Sequence, residues 1–183
     1  MRTSLTLTVL LLAAGPVAAQ VPGSYGGDQR REIKALAPQE QADLLAGRGM
    51  GLARAGELNH YPGPAHVLEL RDKLNLSPEQ IAAIGSSFRR MQEAARLLGT
   101  ELVERERVLD AAFREGTVTP ARLREDTETI GALQGRLRAV HLAAHIETRS
   151  VLTPAQVATY DGLRGYTDAA AAPVGHQHQM PPG

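Results

Sequence analysis

Two histidines one helical turn apart carry the clearest potential for chemistry in this chain. His141 and His145 are four positions apart in a segment with a helical pattern. Residues at this spacing lie about 40° apart around a helix, so two imidazoles can reach the same ion. Two imidazoles completed by a carboxylate suit Zn, Ni, Co or Cu better than Ca or Mg. The pair therefore predicts a transition-metal site, and the plainer alternative is two half-buried histidines at a helix border.

Further ligands for such a site would come from the segment before the long helices. His66 and Glu69 are three positions apart and can share one face of a helical turn, while His60 and Glu57 precede them. A second group of histidines occurs near the C-terminus, where chance histidines in a biased tail are the simpler explanation. The candidate metal ligands are His141, His145, His66, His60 and Glu69.

Motifs for catalysis are missing from the sequence. There is no His-Glu-x-x-His pair, no nucleophile elbow and no phosphate loop between a strand and a helix. The three glycines within 47–51 follow a helical pattern, so we interpret them as a flexible joint. The chain contains no cysteine, which excludes disulfides and thiolate metal sites. The sequence predicts a binding protein that is not an enzyme and requires no cofactor, with a divalent transition metal as the alternative.

The first 19 residues have the pattern of a secretory signal peptide. Arg2 precedes an apolar run at 5–14, and small residues up to Ala19 suit cleavage. The run is too short to span a bilayer, and no later segment is long and apolar enough. Without Arg2, 19 basic and 20 acidic residues leave a net charge of −1, which predicts no binding to nucleic acid. We expect an exported, periplasmic protein with no transmembrane segment in its mature chain.

Two five-residue motifs mark where helices begin. Leu-Ser-Pro-Glu-Gln occupies 76–80, and Leu-Thr-Pro-Ala-Gln occupies 152–156. In each, the hydroxyl residue suits the N-cap, proline suits the first helical position, and glutamine can close a capping box. The leucine before the N-cap can form a hydrophobic staple. The structural caps are Leu76, Ser77, Pro78, Gln80, Leu152, Thr153, Pro154 and Gln156.

Two long helices follow from the apolar pattern between these motifs. Apolar positions alternate at spacings of three and four from 78 to about 115 and recur in a stripe from 120 to about 151. Gly116 suits the end of the first helix, and the short connection predicts an antiparallel hairpin. Strand patterns are absent. The fold class is therefore all-α, a long helical hairpin with shorter flanking helices.

The same reading divides the chain into four parts. Shorter helices are predicted at 38–47, with Leu44 and Leu45 inward, at 52–58, at 66–74 and at 154–163. The parts are a signal peptide at 1–19, a flexible segment at 20–36, a helical domain at 37–165 and a disordered tail at 166–183.

The paired Leu-(Ser/Thr)-Pro-x-Gln motifs, with a long hairpin between them and an export signal ahead, resemble the LTxxQ motifs of the Spy/CpxP family. The chain is also similar to related periplasmic heavy-metal sensor and resistance proteins of the CnrX and ZraP type. The resemblance covers about 37–165 and implies a four-helix hairpin subunit, usually dimeric. Spy-like members are ATP-independent chaperones, and CnrX-like members bind metals through histidine, glutamate and methionine. This chain departs from these patterns in having Ala155 and in having His145 four positions after His141.

These observations predict an exported stress-response binding protein of the ATP-independent chaperone or sensor type. It would act through a helical surface, as a homodimer, on unfolded or envelope proteins or on a membrane sensor. One alternative is a Zn, Ni, Co or Cu sensor or buffer that uses the histidines. Another is an inhibitory partner of a membrane signalling protein.

Overall fold

Residues 25–167 form an all-helical unit in the computed structural model, which describes this range, and no strand occurs within it. The predicted all-α class with a helical hairpin is confirmed. The predicted signal peptide and residues 168–183 lie outside the described range. After a 3-10 turn at Asp28–Arg30 come six helices: α1 (Pro38–Leu45), α2 (Arg54–Glu57), α3 (Pro64–Glu69), α4 (Pro78–Arg114), α5 (Pro120–Val151) and α6 (Pro154–Arg164). None of the helices in the described range is long and apolar enough to cross a membrane.

Helices α4 and α5 form the predicted hairpin and pack along each other. The chain reverses at Gly116, which follows the C-cap of α4 and has a φ of 67°, a conformation that glycine adopts at little cost. The apolar seam between the helices is dominated by leucines. Its buried members include Leu98, Leu102, Leu133 and Leu137.

Residues 33–36, which belong to the segment predicted to be flexible at 20–36, pack against the hairpin. Ile33 is fully buried and joins Leu36 in the core of the hairpin. The Lys34 backbone N–H donates to Asp110 Oδ1 over 3.0 Å. Two apolar side chains thus gain enough burial to order a segment whose glycine-rich beginning had suggested a loose chain.

Two further predictions about the short helices are wrong in detail. In α1, Leu44 is buried but Leu45 remains 45% exposed, because only one face of this short helix contacts α4. Helix α3 begins at Pro64 rather than at 66, since proline suits the first helical position. It also ends at Glu69, and the chain continues in turns to Asn75, whose φ is 48°.

A second apolar cluster closes the other end of the hairpin. It joins α3, the turns after it, the start of α4 and helix α6. Its buried members are Val67, Leu74, Ile84, Leu152, Val157 and Tyr160. The cluster brings the two cap motifs side by side, although they are 76 positions apart in the chain.

The two cap motifs are joined by a reciprocal pair of side-chain amides. Ser77 and Thr153 cap their helices, and each forms a complete capping box with its glutamine. Gln80 donates to Gln156 Oε1 over 2.8 Å, and Gln156 donates back to Gln80 Oε1 over 3.0 Å. The same amides also reach the backbone, where Gln80 donates to the Val151 carbonyl and Gln156 to that of Leu74. The repeated glutamine therefore fastens the starts of α4 and α6 together.

Gln80→Ala is expected to lower the free energy of unfolding by about 2 kcal/mol, because it leaves partly buried partners without hydrogen bonds. The double variant with Gln156→Ala should lose less than the sum of the single variants, since the two side chains share one network. Urea unfolding followed by circular dichroism measures both. Gln134→Ala, an exposed position in α5, is the control and should change stability by less than about 0.5 kcal/mol. Strict additivity of the two losses would contradict the coupling.

Candidate functional site

A cavity of about 550 Å³ lies between the glycine-rich loop at 47–51, helices α2 and α3, and the facing parts of α4 and α5. It is partly open to solvent. Apolar side chains form much of its wall, and the polar groups that line it include three histidines. The apolar members are Met50, Ala53, Leu58, Pro64, Ala65, Phe88 and Met91, and the polar ones include Arg48, Arg54, Glu57, His66, Gln92, His141 and His145.

His141 lies on α5 at the inner wall of this cavity and is only 4% exposed. Its Nε2 is buried and has no hydrogen-bond partner among the described residues. Its Nδ1 faces Gly49, where a Cβ would lie 3.8 Å away. Burial, together with the neighbouring His145, lowers the pKa of His141 below its ordinary value. The side chain is therefore neutral near pH 7, with one donor and one acceptor nitrogen.

His145, one turn further along α5, packs against the corner between α2 and α3, which contains Tyr61 and Gly63. Its Nδ1 lies 2.8 Å from the Tyr61 carbonyl oxygen, and a carbonyl only accepts, so Nδ1 carries the proton. The ring packs tightly on Gly63, where a Cβ would lie 3.0 Å from the His145 Cε1. The absence of a side chain at Gly63 lets the corner approach α5 this closely.

Glu57, the last residue of α2, is the centre of the polar network beside the cavity. Its Oε1 accepts hydrogen bonds from the hydroxyls of Tyr160 at 2.5 Å and Tyr166 at 3.2 Å. Its Oε2 accepts from the Gly63 backbone N–H at 3.0 Å. Burial and the hydrogen bond to Glu57 raise the pKa of Tyr160 well above its ordinary value, so its hydroxyl stays protonated and donates.

Three basic side chains surround the same carboxylate. Arg164 Nε and His66 Nδ1 lie 3.6 and 3.7 Å from Glu57 Oε1, and His145 Nδ1 lies 3.7 Å from Oε2. The Glu57 side chain is only 12% exposed, so its attraction to the Arg164 guanidinium is screened less than it would be in water. The network ties α2 and α3 to α5, α6 and the chain after α6.

The structure places the predicted metal ligands in different surroundings. His141, His145 and His66 line one cavity. His60 instead pairs with Asp161, with 2.8 Å between Nδ1 and Oδ2, and its side chain is 63% exposed. Glu69 is exposed and does not line the cavity. Within residues 25–167, no three His, Asp or Glu side chains are grouped so that they could hold a metal ion.

Sequence reasoning missed most of the Glu57 network. Glu57 was considered only as an additional metal ligand, and Tyr160 was not among the candidate site residues. Tyr160 and Arg164 are four positions apart on α6, which was the one local signal for a polar cluster there. Tyr166 fell in the predicted disordered tail, yet its hydroxyl contacts Glu57.

The hairpin also has a face that no helix within residues 25–167 covers, which we call the bare face. Helix α1 packs on α4 at Gly99, and Leu97 lies about 160° around the helix from that contact. Leu97 is accordingly 62% exposed. The bare face comprises Arg90, Ala94, Leu97, Glu101 and Val108 of α4, which recur at spacings of three, four and seven, and Val140, Ala143 and Glu147 of α5.

Charged side chains cross the bare face between the two helices. Glu147 Oε2 accepts from the Ser87 hydroxyl at 2.5 Å and from Arg90 Nη2 at 2.8 Å. The Ser87 bond and the Arg90 charge lower the pKa of Glu147, so it is ionised at neutral pH. Ala143 and Val140 line a shallow depression next to this network. The face therefore presents apolar side chains interleaved with paired charges.

Comparisons with known proteins do not identify the chain. No protein-family model matches it, and neither does any curated protein or solved structure. The resemblance to the Spy/CpxP family therefore rests on the sequence features described above.

Proposed function

We propose that this protein is an exported periplasmic binding protein that shelters or senses other proteins through the bare face of its hairpin. The observation that carries the proposal is the 62% exposed Leu97, with half-buried apolar neighbours, on a face that no helix within residues 25–167 covers. An exposed leucine flanked by further apolar side chains on an uncovered helix face offers a place of contact for apolar segments of other proteins. The interleaved charges favour weak and reversible contact, as a chaperone independent of ATP requires.

Dimer formation belongs to the same proposal. The resemblance to Spy-like proteins supports a homodimer and a stress-response role in the bacterial envelope. An inhibitory contact with a membrane signalling protein would use the same exposed surface, and the aggregation assay below separates it from general client binding.

Substitution of the bare face is expected to abolish protection of an unfolded client. The chain from Gln20 onward should slow aggregation of reduced α-lactalbumin at near-equal stoichiometry, measured by light scattering without ATP or metal. Leu97→Glu combined with Ala143→Glu places two charges in the apolar stripe and should raise the amount needed for half protection by about tenfold, or 1.4 kcal/mol.

Leu163→Glu provides the matched control, because Leu163 is 45% exposed but lies on α6 away from the bare face. It should protect as well as the unsubstituted chain. Failure of the unsubstituted chain to protect any client would contradict the chaperone role. The bare face would then be assigned to contact with a membrane signalling protein. Full protection by the double variant would show that clients bind elsewhere.

The metal alternative rests on three histidines that line one cavity, His141, His145 and His66. As they stand, no three potential ligands within residues 25–167 are close enough together to hold an ion. Thermal melting with added Zn or Ni tests the metal alternative, because an ion that binds the native state raises the melting temperature. A rise that His141→Ala with His145→Ala abolishes would favour a metal sensor or buffer over the proposed function.

A further inference from the structure

The cavity beneath the loop at 47–51 is separate from the bare face and has no part in the proposed function. Its volume of about 550 Å³ falls in the range of sites for small molecules. Met50, Phe88 and Met91 contribute to a largely apolar wall. Methionine side chains adapt their shape to a ligand, so this wall suits a flexible apolar body.

One polar group in the cavity wall lacks a partner. His141 is 96% buried, and no described residue bonds its Nε2. Nε2 is enclosed by protein, whereas Nδ1 lies on the side of Gly49, which also lines the cavity. A bound molecule next to Nδ1 would give the buried ring a hydrogen-bond partner. The buried histidine is therefore a reason to expect a ligand with a polar group.

The charges around the cavity indicate the sign of that group. Arg54 lines the cavity and folds over Gly51, with its Nη2 3.3 Å from where a Cβ would lie. Arg54 forms no ion pair with any residue in 25–167, whereas Arg48 is held by Asp43 at 2.5 Å. The acidic member of the wall, Glu57, already accepts hydrogen bonds at both oxygens. A cation without a counter-charge thus stands at the edge of an apolar cavity.

We propose that this cavity binds a small amphipathic carboxylate, with its apolar chain along the methionine and phenylalanine wall and its carboxylate recognised by Arg54 and His141. A guanidinium can hold a carboxylate through two parallel hydrogen bonds. The neutral His141 supplies the additional N–H donor that a carboxylate oxygen accepts.

Isothermal titration calorimetry with decanoate and decan-1-ol tests the proposal, since the two probes differ in charge but share a chain length. Decanoate should bind at least about tenfold more tightly than the alcohol. Arg54→Gln should weaken decanoate binding by about tenfold and leave decan-1-ol binding unchanged. His141→Phe should also weaken decanoate binding, while its melting temperature stays equal or rises because the unpaired nitrogen is gone.

Filling the cavity provides an independent arm of the test. A Cβ at Gly49 makes ordinary contacts, so Gly49→Leu should fold and should abolish the binding of both probes. Arg124→Gln, at an exposed position of α5 remote from the cavity, is the charge control and should change nothing. Equal affinity for both probes, unchanged decanoate binding in Arg54→Gln, or retained binding in a folded Gly49→Leu would each overturn the proposal. Neither Arg54→Gln nor Gly49→Leu touches the bare face, so aggregation assays on them separate this site from the proposed function.

Discussion

Glu57→Ala is expected to lower the free energy of unfolding by about 3–5 kcal/mol, the largest effect of any polar substitution in this protein. The change leaves the fully buried Tyr160 hydroxyl and the Gly63 N–H without their acceptor. It also leaves three basic side chains around an empty space. For a domain of this size the loss corresponds to a fall in melting temperature of roughly 10 °C or more, measurable by circular dichroism.

Two further variants separate the Glu57 network from a general effect of losing a carboxylate. Glu69→Ala removes an exposed carboxylate from the neighbouring helix and should change stability by less than about 0.5 kcal/mol. Tyr160→Phe keeps the ring in the core but removes the hydroxyl, and its loss should overlap with that of Glu57→Ala in a double-mutant cycle. A loss for Glu57→Ala no greater than that for Glu69→Ala would show that the network contributes little.

Gly99→Val is expected to destabilise the protein by roughly 3 kcal/mol, because the new side chain has no room between α1 and α4. A Cβ at Gly99 would overlap the carbonyl group of Leu44. The obstacle is backbone, so relief requires α1 to move away from α4 and to uncover Leu44. Urea unfolding should show a lower midpoint, and hydrogen exchange should show faster exchange in α1.

Gly131 offers a matched control for this substitution. It also lies inside a long helix, but a Cβ there would meet nothing within 4 Å. Gly131→Val should be neutral or slightly stabilising, since valine has a helix propensity no worse than that of glycine. Similar losses for both valine variants would mean that helix propensity, and not the contact between α1 and α4, governs the result.

The sequence was most informative where the deciding contacts are local. Ser77, Thr153 and the residues that follow them specify helix starts within five positions, and the structure has both capping boxes. The apolar spacing of α4 and α5 and the short reversal at Gly116 are likewise local signals. These features predicted the hairpin because each one depends on neighbours within one or two helical turns.

The parts that could not be predicted depend on pairs of residues far apart in the chain. Glu57 and Tyr160 are 103 positions apart, and Lys34 and Asp110 are 76 apart. The sequence around a carboxylate in a short helix is the same whether its side chain faces solvent or accepts hydrogen bonds from two tyrosines. The same limit applied to His60, whose partner Asp161 is set by the packing of α6 rather than by any spacing near residue 60.

The reciprocal hydrogen bonds between Gln80 and Gln156 suggest that the motif is repeated for a reason other than duplication of a segment. Each amide bonds the other as well as its own helix start, so loss of either glutamine removes part of the reason for keeping its counterpart. Selection would act on the two positions as one unit, and similar motifs could arise from that mutual dependence without any shared ancestry of the helices that they begin.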